Sequence, residues 1–300
     1  MRRITSVSLG SSKRDKSTTA TLLGEPFTIE RVGTDGDLDG FRRKFGELDG
    51  KVDAFGVGGA DIHIYAAGKR YTFGQIERLT REAVKTPVVD GSGLKNTLER
   101  ETIALLQKTG AIDFSKSKVL LVSAVDRFGM AEALDAAGAS VVYGDMMFGL
   151  GIGIPLRSLA QVNQAARLLL PIVVRLPFQW LYPTGDKQNS IDPKWGPYYA
   201  EADIIAGDFP FIRRHMPDSL KGKTILTNTT TAADVEELKK RGVARLITTT
   251  PEFDGRSFGT NVMEGVLVAL SGKRPEDLTP GDYMDLLARL EWKPRIAELN

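Results

Sequence analysis

The sequence predicts an α/β protein: an N-terminal α/β domain with hairpins, then a Rossmann-like, mostly parallel sheet with helices on both faces. Three observations predict it. From Val119 onward, short apolar strands alternate with helical segments, the pattern of βαβ units. Each of those strands runs out into Gly, Ser, Thr, Asn or Asp. Before Val119, alternating runs flank turn residues, as in "TTATLL" and "FTIERVG" around "GEP".

The elements follow in order. Thr5–Leu9 reads as a strand, and the GEP hairpin follows it. Leu38, Phe41, Phe45 and Leu48 lie at helical spacing. "VDAFGVGG" is a buried strand, and "DIHIYAAGKRYTF" a second hairpin turning at Gly68. A helix at Ile76–Val84, a strand at "TPVVDG" and a helix at Leu94–Gln107 complete this part, and the polar stretch Gly110–Lys118 marks a boundary. Beyond it, strands are expected at Val119–Ser123, Ser140–Gly144, Asp203–Ala206, Thr224–Thr227 and Arg245–Thr249. Helices are expected at Phe128–Ala137, Leu156–Val174, Phe209–His215, Ala232–Arg241, Asn261–Ser271 and Pro280–Leu290. The expected division is residues 1–113 as a substrate domain, 114–260 as a nucleotide-binding domain and 261–300 as helices packing back between them.

Composition narrows the function. Apolar residues make up 42% and charged residues 26% of 300, which suits a globular chain with a real core. Forty basic residues balance 38 acidic ones without a charged block, so neither nucleic acid nor a membrane surface is an expected partner. The chain has no cysteine and two histidines, which excludes thiolate metal sites, cysteine nucleophiles and histidine-rich metal sites; no metal is expected. Leu168–Pro183 is the most apolar stretch, yet it is short and carries Arg175 and three prolines. Met1–Gly10 lacks the apolar core of a signal peptide, and a cytoplasmic location is expected. The partner expected is a small-molecule substrate, with a homodimer as one assembly.

Ligands of open parallel sheets bind beyond the carboxyl ends of the strands. "VLLVSAVDRFGMAEALDAAGASVVYGD" (Val119–Asp145) has the layout of a dinucleotide-binding unit. Asp145 follows Ser123 by 22 residues, close to the ~20 expected of a ribose-binding acid. The glycines that let a backbone approach a pyrophosphate are mostly replaced: Ser123 and Val125 stand there, and Gly129 fits only with a one-residue shift. Asp126 places a repelling charge beside a phosphate. The unit is thus either a cofactor site with an altered turn or a Rossmann-like fold without a cofactor. NAD along this rim faces Ser123, Asp126, Arg127, Gly129, Asp145, Asn228, Thr229 and Thr249, and the acid at 145 disfavours NADP. Gly149–Pro155 is an alternative phosphate loop ahead of a helix starting near Pro155, and Thr231 is the N-cap of the helix after "NTTT".

In the first domain, Asp90 ends a strand, a Gly-Ser-Gly turn follows, and Lys95 opens a helix. A lysine beside an acid is a candidate proton-transfer pair. "SLGSSKRD" (Ser8–Asp15) suits a carboxylate or phosphate. "GVGGAD" (Gly56–Asp61) reads as packing, and neither His63 nor His215 reads as catalytic. Trp180–Tyr199 has the length of a lid or an interface arm.

The phrases "SLGSSKRD", "VDAFGVGGADIHIY", "TPVVDGSGLKNTLER", "VSAVDRFGMAEAL", "YPTGDKQ", "AGDFPFIRRHMP" and "GRSFGTNVMEGVLVAL" together resemble a bacterial family usually named quinate 5-dehydrogenase. The resemblance spans nearly the whole chain. It implies NAD(P)-dependent oxidation of a cyclic polyol acid such as quinate to 3-dehydroquinate. It also implies part of the architecture of shikimate and quinate dehydrogenases, whose catalysis uses a Lys–Asp pair. Lys95 is the nearest match to that lysine, with Asp90 beside it; Ser11, Ser12, Asn96 and Thr97 match the substrate-holding residues, with Arg14 added. The glycine-rich nucleotide loop of those enzymes has no counterpart here. Two other readings stand beside the NAD-dependent dehydrogenase: a non-catalytic binder of a nucleotide or phosphate ligand with a degenerate Rossmann site, and a non-redox phosphate or nucleotide enzyme.

Overall fold

The computed structural model describes residues 1–181, 191–250, 252–253, 256–257 and 259–300. Two sheets dominate it. The first has the order β2-β3-β1-β4-β7, from β1 (Arg2–Ser8), β2 (Lys16–Leu22), β3 (Glu25–Gly33), β4 (Ala54–Gly58) and β7 (Val88–Val89). All neighbours in it are parallel except β2, which returns antiparallel on β3. Between these strands lie α1 (Leu38–Leu48), the hairpin β5 (His63–Ala66) and β6 (Lys69–Thr72), and α2 (Gly74–Thr80). Helix α3 (Ser92–Lys108) leads to the second sheet.

That second sheet has the order β9-β8-β10-β11-β12-β15. It is built from β8 (Lys118–Leu121), β9 (Ser140–Tyr143), β10 (Ile204–Ala206), β11 (Thr224–Thr227), β12 (Arg245–Thr248) and β15 (Arg295–Glu298). Its first five strands are parallel and in the order 2-1-3-4-5, the second of the two common doubly wound orders. The mostly parallel sheet expected from the sequence is present, with this order in place of a specifically Rossmann one. Its helices are α4 (Phe128–Ala136), α5 (Leu159–Val173), α6 (Phe178–Leu181), α7 (Gly196–Glu201), α8 (Phe209–His215) and α9 (Ala232–Lys240). The short pair β13 (Glu252–Phe253) and β14 (Arg256–Ser257) precedes α10 (Thr260–Ser271) and α11 (Pro280–Arg289).

Strand periodicity explains the layering. Val119 and Leu121, Ile204 and Ala206, Leu226 and Ile247 enter one apolar cluster with Leu134, Val162 and Ala166 of α4 and α5. Their neighbours Leu120, Ile205, Ile225 and Leu246 enter another with Tyr199, Ile212 and Leu238 of α7, α8 and α9. Successive side chains serve opposite faces, so a strand covered on both sides reads as an unbroken apolar run. In the first sheet Ile4, Phe27, Ile29 and Ala54 pack under Leu94, Val262, Val266 and Leu286 of α3, α10 and α11. Phe55 and Val57 face Phe41, Phe45 and Ile76 of α1 and α2. The last helices therefore complete the first sheet, while β15 pairs antiparallel with β12 of the second.

Two departures from the expected elements bear on the site. Residues Asp145–Gly149 form one wide π-helical turn, and α5 starts only at Leu159 with Ser158 as its N-cap. Gly149–Pro155 thus stops three residues short of α5 and does not form its N-terminus, and the alternative phosphate loop is corrected. Of the expected lid, residues 182–190 lie outside the described residues, and its last four residues begin α7.

Gly129 has a packing role. A Cβ there would lie 2.6 Å from the backbone oxygen of Asn96. The start of α4 therefore presses on α3 with no room for a side chain. Gly129→Ala is expected to cost about 1–3 kcal/mol through overpacking. Thermal melts check this, with a fall in Tm of several degrees expected; an unchanged Tm would show that the two helices separate freely.

Candidate functional site

The carboxyl ends of both sheets open on one cleft. In the second sheet the strand order reverses between β8 and β10, the position where doubly wound sheets hold ligands. Asp126 and Arg127 follow β8, and Asp208 follows β10. In the first sheet the order reverses between β1 and β4. There the glycines Gly58 and Gly59 lead to Asp61, and Asp90 follows β7. These residues line a cavity of about 160 Å³ together with Lys95 of α3, Phe211 and Arg214 of α8, Asn228 and the first residues of α10. The volume resembles cavities that hold benzene, near 150 Å³, and falls short of the roughly 300–1,000 Å³ of larger ligand clefts.

Two cations organise the floor. Lys95 Nζ donates to Asp61 Oδ1 at 2.8 Å and to Asp126 Oδ1 at 3.0 Å. Arg127, 1% exposed, donates to Glu99 and, at 2.6 Å, to Asp208 Oδ1; its Nε lies 3.4 Å from Asp126 Oδ2. Asn228 Nδ2 also donates to Asp208 Oδ1, at 3.2 Å. Burial alone would lower the Lys95 pKa, but Asp126 and Asp61 override it and raise it above the ordinary lysine value. Burial pushes the Asp61 carboxyl up to about 7 against the pull of Lys95. Burial acts the same way on Asp126, yet Lys95 and Arg127 hold it below the usual aspartate value. Burial raises Glu99 in spite of Arg127.

The residues singled out in the sequence divide accordingly. Asp90 does not touch Lys95. Its Oδ2 accepts from the backbone N–H groups of Ile62 and His63 at 2.6 and 2.7 Å, and its Oδ1 from that of Ser92 at 2.9 Å. It ties the second hairpin to the start of α3, where Gly91 N–H also donates to the buried Glu264. Lys95 sits in the cleft, but its proton is held by two acids, so the expected role of taking a hydroxyl proton is corrected. Asn96 packs under Gly129 and Thr97 is half-buried; neither lines the main cavity. Ser11, Ser12 and Arg14 lie off the cavity as well. Their loop is closed on itself: Arg31 donates to Ser11 O and Asp15, and Ser12 N–H donates to Asp35.

The cofactor residues meet a similar correction. Asp145 Oδ1 accepts from Val125 N–H at 2.8 Å, so the acid at the ribose spacing braces the turn after β8 instead. Ser123 is buried, Gly129 is packed on α3, and Asp126 and Arg127 are held in ion pairs. Thr229 is half-buried beside Asn228, and Thr249 is buried, its carbonyl accepting from Trp292. Thr231 and Asp234 form a capping box on α9. Around β8 these residues leave no glycine cradle for a pyrophosphate, and the expected NAD site is withdrawn. Asp61, Glu99 and Asp208 escaped selection. Glu99 lies four residues after Lys95, on the same helical face, which was the available signal.

Burial lifts the Asp145 carboxyl to about 6, partly offset by the N–H groups of Val125 and Ala124. Between the unfolded value near ~4 and about 6, the native state keeps a proton that the unfolded chain has lost. Stability from this group therefore falls as pH rises through that window. Asp145→Asn is expected to remove about 1–3 kcal/mol of that fall. Urea midpoints of both proteins at pH 4.5 and 7.5 check this, and parallel pH profiles would refute it.

No curated protein matches the sequence. Among solved structures, the chain is similar to an ABC transporter solute-binding protein from Burkholderia multivorans, at 12% identity, 99% of each chain covered and a TM-score of 0.39. A 5-methylthioribose transporter solute-binding protein from Thermotoga lettingae shows 10% identity over 99% of this chain and 86% of its own, with a TM-score of 0.37. A point mutant of glutamate dehydrogenase shows 13% identity over 90% of this chain and 65% of its own, with a TM-score of 0.44. Likeness at this level assigns no activity. Both family models that match are of unknown function, so the expected quinate 5-dehydrogenase membership is withdrawn, and with no cradle at β8 its NAD-dependent chemistry and the cytoplasmic location are withdrawn with it. No helix among the described residues is long and apolar enough to cross a membrane. Residues 3–90 match a model described as Domain of unknown function (DUF8753). A second model, Domain of unknown function (DUF8754), matches residues 93–299, more than half of the chain, and the protein belongs to that family.

Proposed function

We propose that the protein is a non-catalytic binder of one small polar molecule, held between two lobes in the cleft where both sheets end. The lobes are residues 1–113 with the last helices, and 114–260. The observation that carries this reading is the pairing of the charged floor. Lys95 and Arg127 are each locked between carboxylates, which fixes their protons and their positions. Such groups present a preorganised polar surface to a ligand. Asp208, with its side chain 22% exposed, offers its second oxygen to hydroxyl or ammonium donors, and Phe211 lines the wall with an apolar face. The size of the cavity supports a molecule of a few polar groups over a dinucleotide.

The test is a thermal-shift and calorimetric screen of pentoses, hexoses, polyols, amino acids and hydroxy acids. A ligand at 100 times its Kd is expected to stabilise the fold by about 2.7 kcal/mol. Steady consumption of the bound compound would refute the non-catalytic reading. Asp208→Asn keeps an acceptor for Arg127 and is expected to weaken binding about tenfold, the loss of one charge-assisted hydrogen bond. Undiminished affinity in that variant would place the ligand elsewhere.

A further inference from the structure

Helix α10 points its N-terminus into the cleft. It runs for 12 residues, and its N-cap is Gly259, which has no side chain to offer. Val262 and Met263 N–H both donate to Gly259 O. The backbone N–H groups of Thr260 and Asn261 have no partner within the helix. Thr260 lines the cavity and is 4% exposed, and its buried hydroxyl has no hydrogen-bond partner among the described residues. Across the cavity, Arg214 of α8 makes no ion pair among the described residues, whereas Lys95 and Arg127 are neutralised by their acids. Among the described residues, a helix N-terminus, an unsatisfied hydroxyl and a guanidinium without an ion pair on one small cavity are donors without an acceptor. At the neighbouring start of α3 the protein supplies the acceptors itself, through Asp90 and Glu264.

We propose that the small molecule in the cleft is a carboxylic acid, its carboxylate lying between the N-terminus of α10 and Arg214, and its hydroxyl or ammonium groups turned toward Asp208. This rests on the binding role proposed above and narrows it to small hydroxy or amino acids. The two ends of the site then have opposite demands: donors from α10 and Arg214 at one, a carboxylate acceptor at the other. Because α10 packs on the first sheet and α8 on the second, the carboxylate would be shared by both halves of the protein.

The experiment is calorimetry on the full chain with matched pairs, L-serine against L-serinamide and D-galactonate against D-galactose. At least one acid is expected to bind ten or more times tighter than its neutral partner. Thr260→Val keeps the side-chain shape and Arg214→Gln keeps most of its length. Each is expected to weaken the acid about tenfold and leave the neutral partner unchanged, with Tm in the absence of ligand unaltered. Equal or tighter binding of the neutral partners would overturn the carboxylate subsite and leave the binding role standing. Acid binding indifferent to both substitutions would also overturn it, since the carboxylate would then lie elsewhere. If no member of either pair binds, the subsite and the binding role fall together.

Discussion

The cleft depends on two buried cations that are shared between carboxylates. Lys95 leaves α3 and meets Asp61 from the first sheet and Asp126 from the second. Arg127 leaves the second sheet and meets Glu99 on α3 and Asp208 beyond β10. Desolvating six charges costs more than an apolar core of the same volume, so such a cluster contributes little net stability. Its effect is on geometry. Removing any one member strands a charge inside the protein at a cost of about 3–5 kcal/mol, which confines the partners to a single arrangement. The walls of the cavity are set by that constraint as much as by the sheets.

Close approach between α3 and α4 supports the cluster. Gly129 lets the two helices meet at backbone distance, and this brings Arg127 within reach of Glu99. A glycine that the sequence suggests for a pyrophosphate turn is needed to bring two helices together. Asp145 shows the same substitution of role. Its spacing after β8 suits a ribose acid, yet the atom it holds is the amide of Val125 in its own turn. Spacing fixes where a side chain stands on a βαβ unit; it does not fix whether the partner is a ligand or the backbone.

That distinction separates what could be read in the sequence from what could not. The parallel strands and most helices were legible because residues such as Leu120 and Leu121 feed opposite cores and leave an unbroken apolar signature. The two hairpins were legible from Gly24 and Gly68, whose positive φ angles of 82° and 74° suit glycine. β15 was not, because Arg295–Glu298 is a short, largely exposed edge that becomes a strand only when β12 pairs with it. Lys95 stood out, but its partners lie 34 and 31 residues away, so the nearby Asp90 attracted the pairing instead. Arg214 and Thr260 gave no signal at all; their meaning comes from a cavity that exists only after α8 and α10 are placed.

The two family models meet between Asp90 and Gly93, at the threshold of α3. The structure does not divide there. The sheet built by the first segment is roofed by α3, α10 and α11, all of which belong to the second. Expressed alone, the first segment would present Ile4, Phe27 and Ile29 to water, a ready surface for aggregation. The two segments are thus parts of one folding unit whose seam in sequence is not a seam in space. Evolution could shuffle neither half to a new neighbour without first rebuilding that roof, so they are expected to be inherited together and in this order.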